Sequence, residues 1–131
     1  MSVSRFLLDT HALIWWWTDD PRLSARAHAV IADRSNGVWV SAASVWEMRT
    51  KARLGRLPGV PGLVDAYDNL MRRGSLHTLD ISWRHAYVAA SFDVDHQDPF
   101  DRMLVAQAEL EGMTLITADT AMAQFEVARF W

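Results

Sequence analysis

The sequence predicts a three-layer α/β/α sandwich around a mainly parallel sheet of four or five strands. Two observations carry this. Short apolar runs at residues 6–8, 38–40, 76–81 and 114–117 alternate with segments of helical spacing. The runs are continuous rather than alternating, as expected of strands buried on both faces. No repeat, low-complexity tract or interior linker interrupts them. The 131 residues, 50% of them hydrophobic, therefore read as one domain over 1–131 with enough apolar mass for a real core.

The elements follow in order. Residues 6–8 form a strand running into Asp9. From Thr10 on, Leu13, Ile14 and Trp17 fall at helical spacing until Pro21 breaks it. Ser24 can cap a second helix whose apolar face is Ala27, Val30 and Ile31. Asn36-Gly37 signals a turn before the second strand, and Ser41 can cap the helix that follows it, with Val45, Met48 and Ala52 on one side and Gly55 at its end. Residues 58–62 read as a loop. Leu63, Tyr67, Leu70 and Met71 mark one further helix, with Arg72 and Arg73 in its last turn and Gly74 after it. Beyond the third strand, Ser82 can cap a helix carrying Ala86, Val88, Ala89 and Phe92. Asp98 is a good N-cap and Pro99 is pre-set for the first helical position. Phe100, Leu104, Ala108 and Leu110 can then face a core, and Gly112 can end the helix. After the fourth strand, Asp119 can cap a short helix over 121–125, and residues 127–130 suit a short last strand.

Composition excludes several function classes. With no cysteine there is no disulfide framework and no thiolate metal site. A net charge of −3 gives no global signature of a nucleic-acid binder, so a polyanion would have to be met by local cations or by bound metal. Asp9 and His11 interrupt the apolar run from Phe6 to Trp17, which argues against a signal peptide, and nothing approaches a membrane span. A soluble, cytoplasmic protein is expected.

The acids carry the functional argument. Parallel strands place their carboxyl ends on one edge of the sheet, where open α/β folds build their sites. Asp9 follows the first strand, Glu47 lies early in the helix leaving the second, and Asp119 lies just beyond the fourth. The helix starting at Asp98 and Asp101 leads into the fourth strand and must run antiparallel to it, so its N-terminus lies at the same edge. Crowded carboxylates repel one another unless a cation joins them. All-oxygen ligation suits Mg²⁺ or Mn²⁺, and such a site supports metal-assisted phosphodiester hydrolysis. Asp98 and Asp101 also suit the positive end of a helix dipole, and the stretch alone does not separate the two readings.

Four stretches resemble the PIN-domain ribonucleases, and more closely the VapC toxins of prokaryotic toxin–antitoxin pairs. They are Leu8-Asp9-Thr10-His11-Ala12-Leu13 with Trp15 or Trp16, Ser41-Ala42-Ala43-Ser44-Val45-Trp46-Glu47 continuing to Lys51 and Gly55, His96-Gln97-Asp98-Pro99-Phe100-Asp101-Arg102-Met103-Leu104-Val105-Ala106-Gln107-Ala108, and Leu115-Ile116-Thr117-Ala118-Asp119. Together they span nearly the whole chain. The resemblance implies a PIN-like fold and an Mg²⁺-dependent RNA endonuclease, with Mn²⁺ as a substitute ion. Its catalytic and metal-binding quartet would be Asp9, Glu47, Asp101 and Asp119. Asp101 is chosen because the family's third acid directly precedes the pattern from Arg102 to Ala106. Thr117 matches a hydroxyl position that orients the acids, and Asp98 supports the site as an N-cap. The resemblance further implies a cognate antitoxin, with assembly as a homodimer or a toxin–antitoxin hetero-oligomer.

Plainer roles compete for the same residues. Glu47 can pair with Lys51 at i+4, worth about 0.3–0.5 kcal/mol. His11 and His96 read as packing or supporting groups, since four carboxylates already suffice. Arg49, Lys51, Arg53 and Arg56 form a solvated face that is also the densest cation cluster; Arg49, Lys51 and Arg102 are the candidate RNA contacts. Trp15, Trp16 and Trp17 are consecutive, and consecutive helical positions do not all face one core. At least one is expected to be exposed or covered by a partner, which makes the three candidate antitoxin contacts. Two other functions fit the scaffold. One is a catalytically silent PIN-like module that binds RNA or protein, against which the intact quartet argues. The other is a phosphatase with Asp9 as nucleophile, but that chemistry wants a second acid where this chain has His11.

Overall fold

A computed structural model describes residues 4–57 and 61–131. Strands β1 (Arg5–Leu8), β2 (Gly37–Ser41), β3 (His77–Leu79), β4 (Thr114–Ile116) and β5 (Arg129–Phe130) form one five-stranded sheet in the order β3-β2-β1-β4-β5. Every neighbouring pair is parallel. The crossovers are α1 (Thr10–Trp17) and α2 (Ala25–Ala32), then α3 (Ala42–Arg53), α4 (Pro61–Asp65) and α5 (Tyr67–Arg73), then α6 (Trp83–Ser91) and α7 (Pro99–Glu111), with a 3₁₀ turn (Thr120–Gln124) before β5.

The three layers follow from the pleat. Leu7 and Leu8 are both fully buried, yet they belong to different cores, because successive strand residues point to opposite faces. Leu8 packs with Leu13, Ile31, Val40, Met48 and Ile116 on one side of the sheet. Leu7 packs with Leu104, Val105, Ala108, Leu115 and Met122 on the other. With a core on each side, strands such as β1 carry apolar residues at consecutive positions.

The predicted caps are present. Backbone N–H groups donate to Ser24 Oγ from Ala27 (3.0 Å), to Ser41 Oγ from Ala43 (2.9 Å) and to Ser82 Oγ from His85 (3.2 Å). His85 returns the contact, its Nδ1 accepting from Ser82 N–H at 3.0 Å, while its Nε2 meets Glu111 Oε1 at 2.9 Å and so ties the start of α6 to the end of α7. Gly112 ends α7 with φ +65°, a left-handed conformation that costs glycine little.

Several expectations need correction. Of the loop expected at 58–62, residues 58–60 lie outside the described residues, and α4 already begins at Pro61. The single helix expected from Leu63 to Met71 is two, α4 and α5, joined at Ala66, which offers no capping side chain. The third strand covers only residues 77–79. Leu110 is 46% exposed rather than in the core. It lies two residues past Ala108, about 200° round the helix from the buried face.

The tryptophans also differ from expectation. Trp15, Trp16 and Trp17 are all partly buried against the same core. Other elements close around α1 on three sides: Trp15 meets Trp131 edge-on at 5.8 Å, Trp16 meets His28 at 5.0 Å, and Trp17 meets Tyr67 at 6.1 Å. The tryptophans that face solvent are Trp46, 61% exposed, and Trp83, 73% exposed. No helix among the described residues is long and apolar enough to cross a membrane.

Candidate active site

β1 and β4 lie side by side and parallel, so Asp9 and the segment Thr117 to Asp119 leave the sheet at one edge. α3 starts from that edge after β2, and α7 brings its N-terminus back to it before β4. A cavity of about 290 Å³ opens there, lined by Asp9, Glu47, Asp98, Asp101 and Asp119 together with Thr10, His11, Lys51 and His96. All the acids singled out in the sequence therefore meet at one place.

Each acid is held differently. Asp9 is buried and caps α1, its Oδ1 accepting from Ala12 N–H at 2.7 Å. The Thr117 hydroxyl accepts from Asp119 N–H at 3.1 Å and lies beside Asp9, where it favours the ionised carboxylate. Thr10 Oγ1 donates to Ser44 Oγ at 2.9 Å, fixing α1 against α3 just beside Asp9 and Glu47; the sequence reading passed over this pair. Glu47 is buried, with Oε2 paired to Lys51 Nζ and Oε1 without a hydrogen-bond partner among the described residues. Asp98 Oδ1 caps α7, accepting from Phe100 N–H at 2.9 Å and Asp101 N–H at 3.1 Å. Asp101 Oδ2 meets His96 Nε2 at 2.8 Å. Asp119 is exposed and caps the 3₁₀ turn through Ala121 N–H at 2.9 Å.

The electrostatics follow from crowding and burial. Burial pushes the Asp9 carboxyl above the usual range, against the pull of its bonds to Thr117 and Ala12 and with the Glu47 charge adding to the rise. Burial likewise raises Asp101 to about 6; the His96 hydrogen bond lowers it, while the charges of Asp98 and Glu47 push it up. Carboxylates held so reluctantly as anions favour a cation.

Comparison with protein families matches the PIN domain over residues 6–128. The chain belongs to the PIN domain family. No curated protein sequence matches it. Among solved structures it is similar to VapBC2 from Rickettsia felis bound to a DNA fragment from its promoter, with 14% identity, a TM-score of 0.71, and 96% of this chain and 97% of that chain covered. VapBC-1 from nontypeable Haemophilus influenzae gives 15% identity and a TM-score of 0.69, with 96% of each chain covered. FitAcB from Neisseria gonorrhoeae gives 21% identity and a TM-score of 0.60, again with 96% of each chain covered. At these identities the likeness is one of fold.

The acidic cavity of this PIN domain suits a hard divalent ion. Beside the imidazoles of His11 and His96 and the Lys51 ammonium, its donors are carboxylate and hydroxyl oxygens, and Glu47 Oε1 is buried with no hydrogen-bond partner among the described residues. Among the described residues no group of three His, Asp or Glu side chains is gathered closely enough to cage an ion alone.

The cations sort differently from the expectation. Arg49, Arg53 and Arg56 are exposed on and just after α3, while Lys51 turns to Glu47 inside the cavity. Arg102 is engaged within the chain. Its guanidinium donates to the carbonyls of Ala89 (2.9 Å), His96 (2.9 Å) and Phe92. Sequence shows the charge of an arginine but not the carbonyls that fold around it.

Proposed function

We propose that this PIN domain is a metal-dependent endoribonuclease that serves as the toxin of a toxin–antitoxin pair. One observation carries the reading: Asp9, Glu47, Asp101 and Asp119, from separate parts of the chain, line a single cavity. The residues that would hold Mg²⁺, or Mn²⁺ in its place, are those four, with Thr117 fixing Asp9 relative to Asp119. When bound, the ion supplies Lewis-acid polarisation of a phosphoryl oxygen and a more acidic water. The chain does the rest. Asp98 sets the first turn of α7 and hence the backbone of Asp101. Lys51 balances Glu47, and Arg49, exposed on the same helix, can meet a backbone phosphate. The choice of RNA rests on the family resemblance of the motifs.

The partner is a cognate antitoxin. Support comes from the structures that share the fold, which include VapBC assemblies and a toxin–antitoxin complex from Klebsiella pneumoniae. A depression beside the acids, lined by Asp9, His11, Trp15, Arg22, Ala118 and Asp119, offers a seat for it. Assembly as a homodimer or toxin–antitoxin hetero-oligomer is in keeping with exposed Trp46, Trp83 and Tyr87.

The test is direct. Purified protein freed of any partner should cleave RNA with Mg²⁺ or Mn²⁺ and stop when EDTA is added. Cleavage that continues unchanged in EDTA would sink the metal mechanism, and tight metal binding without any cleavage would favour a silent binding module.

A further inference from the structure

We infer that His96, anchored by Arg102, is a positioning residue that sets the Asp101 carboxylate in the acidic cavity. The inference rests on the proposed metal-dependent reading of that cavity. Asp101 sits in the first turn of α7, where its backbone is fixed but its side chain is free to turn. What fixes it is the 2.8 Å contact between Oδ2 and His96 Nε2. A neutral imidazole has one N–H, and a carboxylate partner requires that hydrogen on Nε2. Oδ2 then accepts from the ring, and Oδ1 is left for the cavity. The role needs no change of protonation.

His96 is itself held in place. Its ring lies edge-on to Phe125 at 5.7 Å and 74°. Its carbonyl accepts from Arg102 Nη1 at 2.9 Å. The same guanidinium gathers the carbonyls of Ala89, at the end of α6, and of Phe92. Among the described residues, 93–97 make no backbone–backbone hydrogen bond of their own, and Arg102 holds this stretch through the His96 carbonyl. Arg102 and Asp101 are neighbours on α7. The chain from Arg102 through His96 to Asp101 thus closes on a single helical turn, and the acid is referenced to its own helix. Only a planar fork reaches several carbonyls at once, which lysine cannot do. Groups that orient a metal-binding carboxylate in this way carry about 10–100-fold of metal affinity or activity.

The experiment measures Mn²⁺ binding by calorimetry, alongside denaturant midpoints, for the wild type, His96→Gln and His96→Leu. Glutamine places an N–H close to where Nε2–H lies; leucine fills similar space without a donor. The expected result is that His96→Leu binds Mn²⁺ about tenfold more weakly while His96→Gln stays within about twofold of wild type. Arg102→Lys should weaken binding in the wild-type background and add nothing to His96→Leu, since both act through one contact. If Arg102→Lys fails to fold, the His96 pair still decides. Equal affinities for Gln and Leu overturn the positioning role while leaving the metal site standing. A wild type that binds no Mn²⁺ overturns the metal reading and this inference with it.

Discussion

Three of the aspartates around the cavity engage one of their two oxygens in the same way. Asp9, Asp98 and Asp119 each use Oδ1 to accept a backbone N–H at a helix start, leaving Oδ2 for other partners. Capping and metal binding want the same residue at the same place, so the sequence could not separate them. Asp101 and Glu47 are different: neither caps a helix. This divides Asp98 from Asp101. On the proposed reading, Asp98→Asn should keep most RNase activity, because asparagine caps about as well as aspartate. Asp101→Asn should abolish it, because an amide does not replace an anionic ligand. Rates of RNA cleavage for the two variants check this, and the reverse order would show the pair wrongly assigned. Arg102 marks what residue-level reading misses. Its charge suggested phosphate, while its bonding partners are carbonyls scattered over residues 89–96, which only the folded loop brings together.

At the scale of elements, legibility tracked how strongly each segment is constrained. β1, β2 and β4 were visible because burial on both faces demands unbroken apolar runs. The helices after Ser24, Ser41, Ser82 and Asp98 were visible from their caps. The break between α4 and α5 was not, since Ala66 is a good helix former with no breaker beside it. α1 was visible, but its surroundings were not: three consecutive tryptophans find cover only because α2, α5 and the C-terminal residues close around them. On the proposed reading, the three tryptophans differ as candidate antitoxin contacts. Trp15 alone borders the depression beside Asp9 and Asp119, with Arg22 over its ring at 5.1 Å. Trp15→Ala should weaken antitoxin binding by roughly 2 kcal/mol, about thirtyfold, in a domain that stays folded by circular dichroism. Unchanged affinity by titration calorimetry would move the antitoxin seat elsewhere.

For the whole molecule, the cavity is a cost that the rest of the fold carries. Asp101 rises from an ordinary 3.8 to about 6 on folding, so between those values the folded state binds more protons than the unfolded one. Its contribution to stability is therefore greatest at low pH and is lost as pH rises through about 6, the opposite of a salt-bridged acid. Denaturant melts of metal-free protein at pH 5, 6 and 7 should show this against Asp101→Asn, which lacks the dependence. The difference is on the order of 1–2 kcal/mol after allowing for partial exposure. Parallel profiles for the two proteins would refute it. On the proposed reading, Mg²⁺ or Mn²⁺ should restore the loss at pH 7 by binding the folded state.

The order of strands has a consequence in time. β1 stands at the centre of the sheet, between β2 and β4, and the acids it gathers run from Asp9 to Asp119. Chains emerge from the ribosome N-terminus first. β1 and β2 can pair while most of the chain is unmade, but the wall that holds Thr117 and Asp119 is added near the end of the PIN domain, whose match closes at residue 128. On the proposed reading, a nascent PIN domain carries an unfinished blade until β4 and the segment after it have been made. It becomes dangerous only as β4 is laid beside β1, which leaves the interval before that for an antitoxin already in the cell to find it.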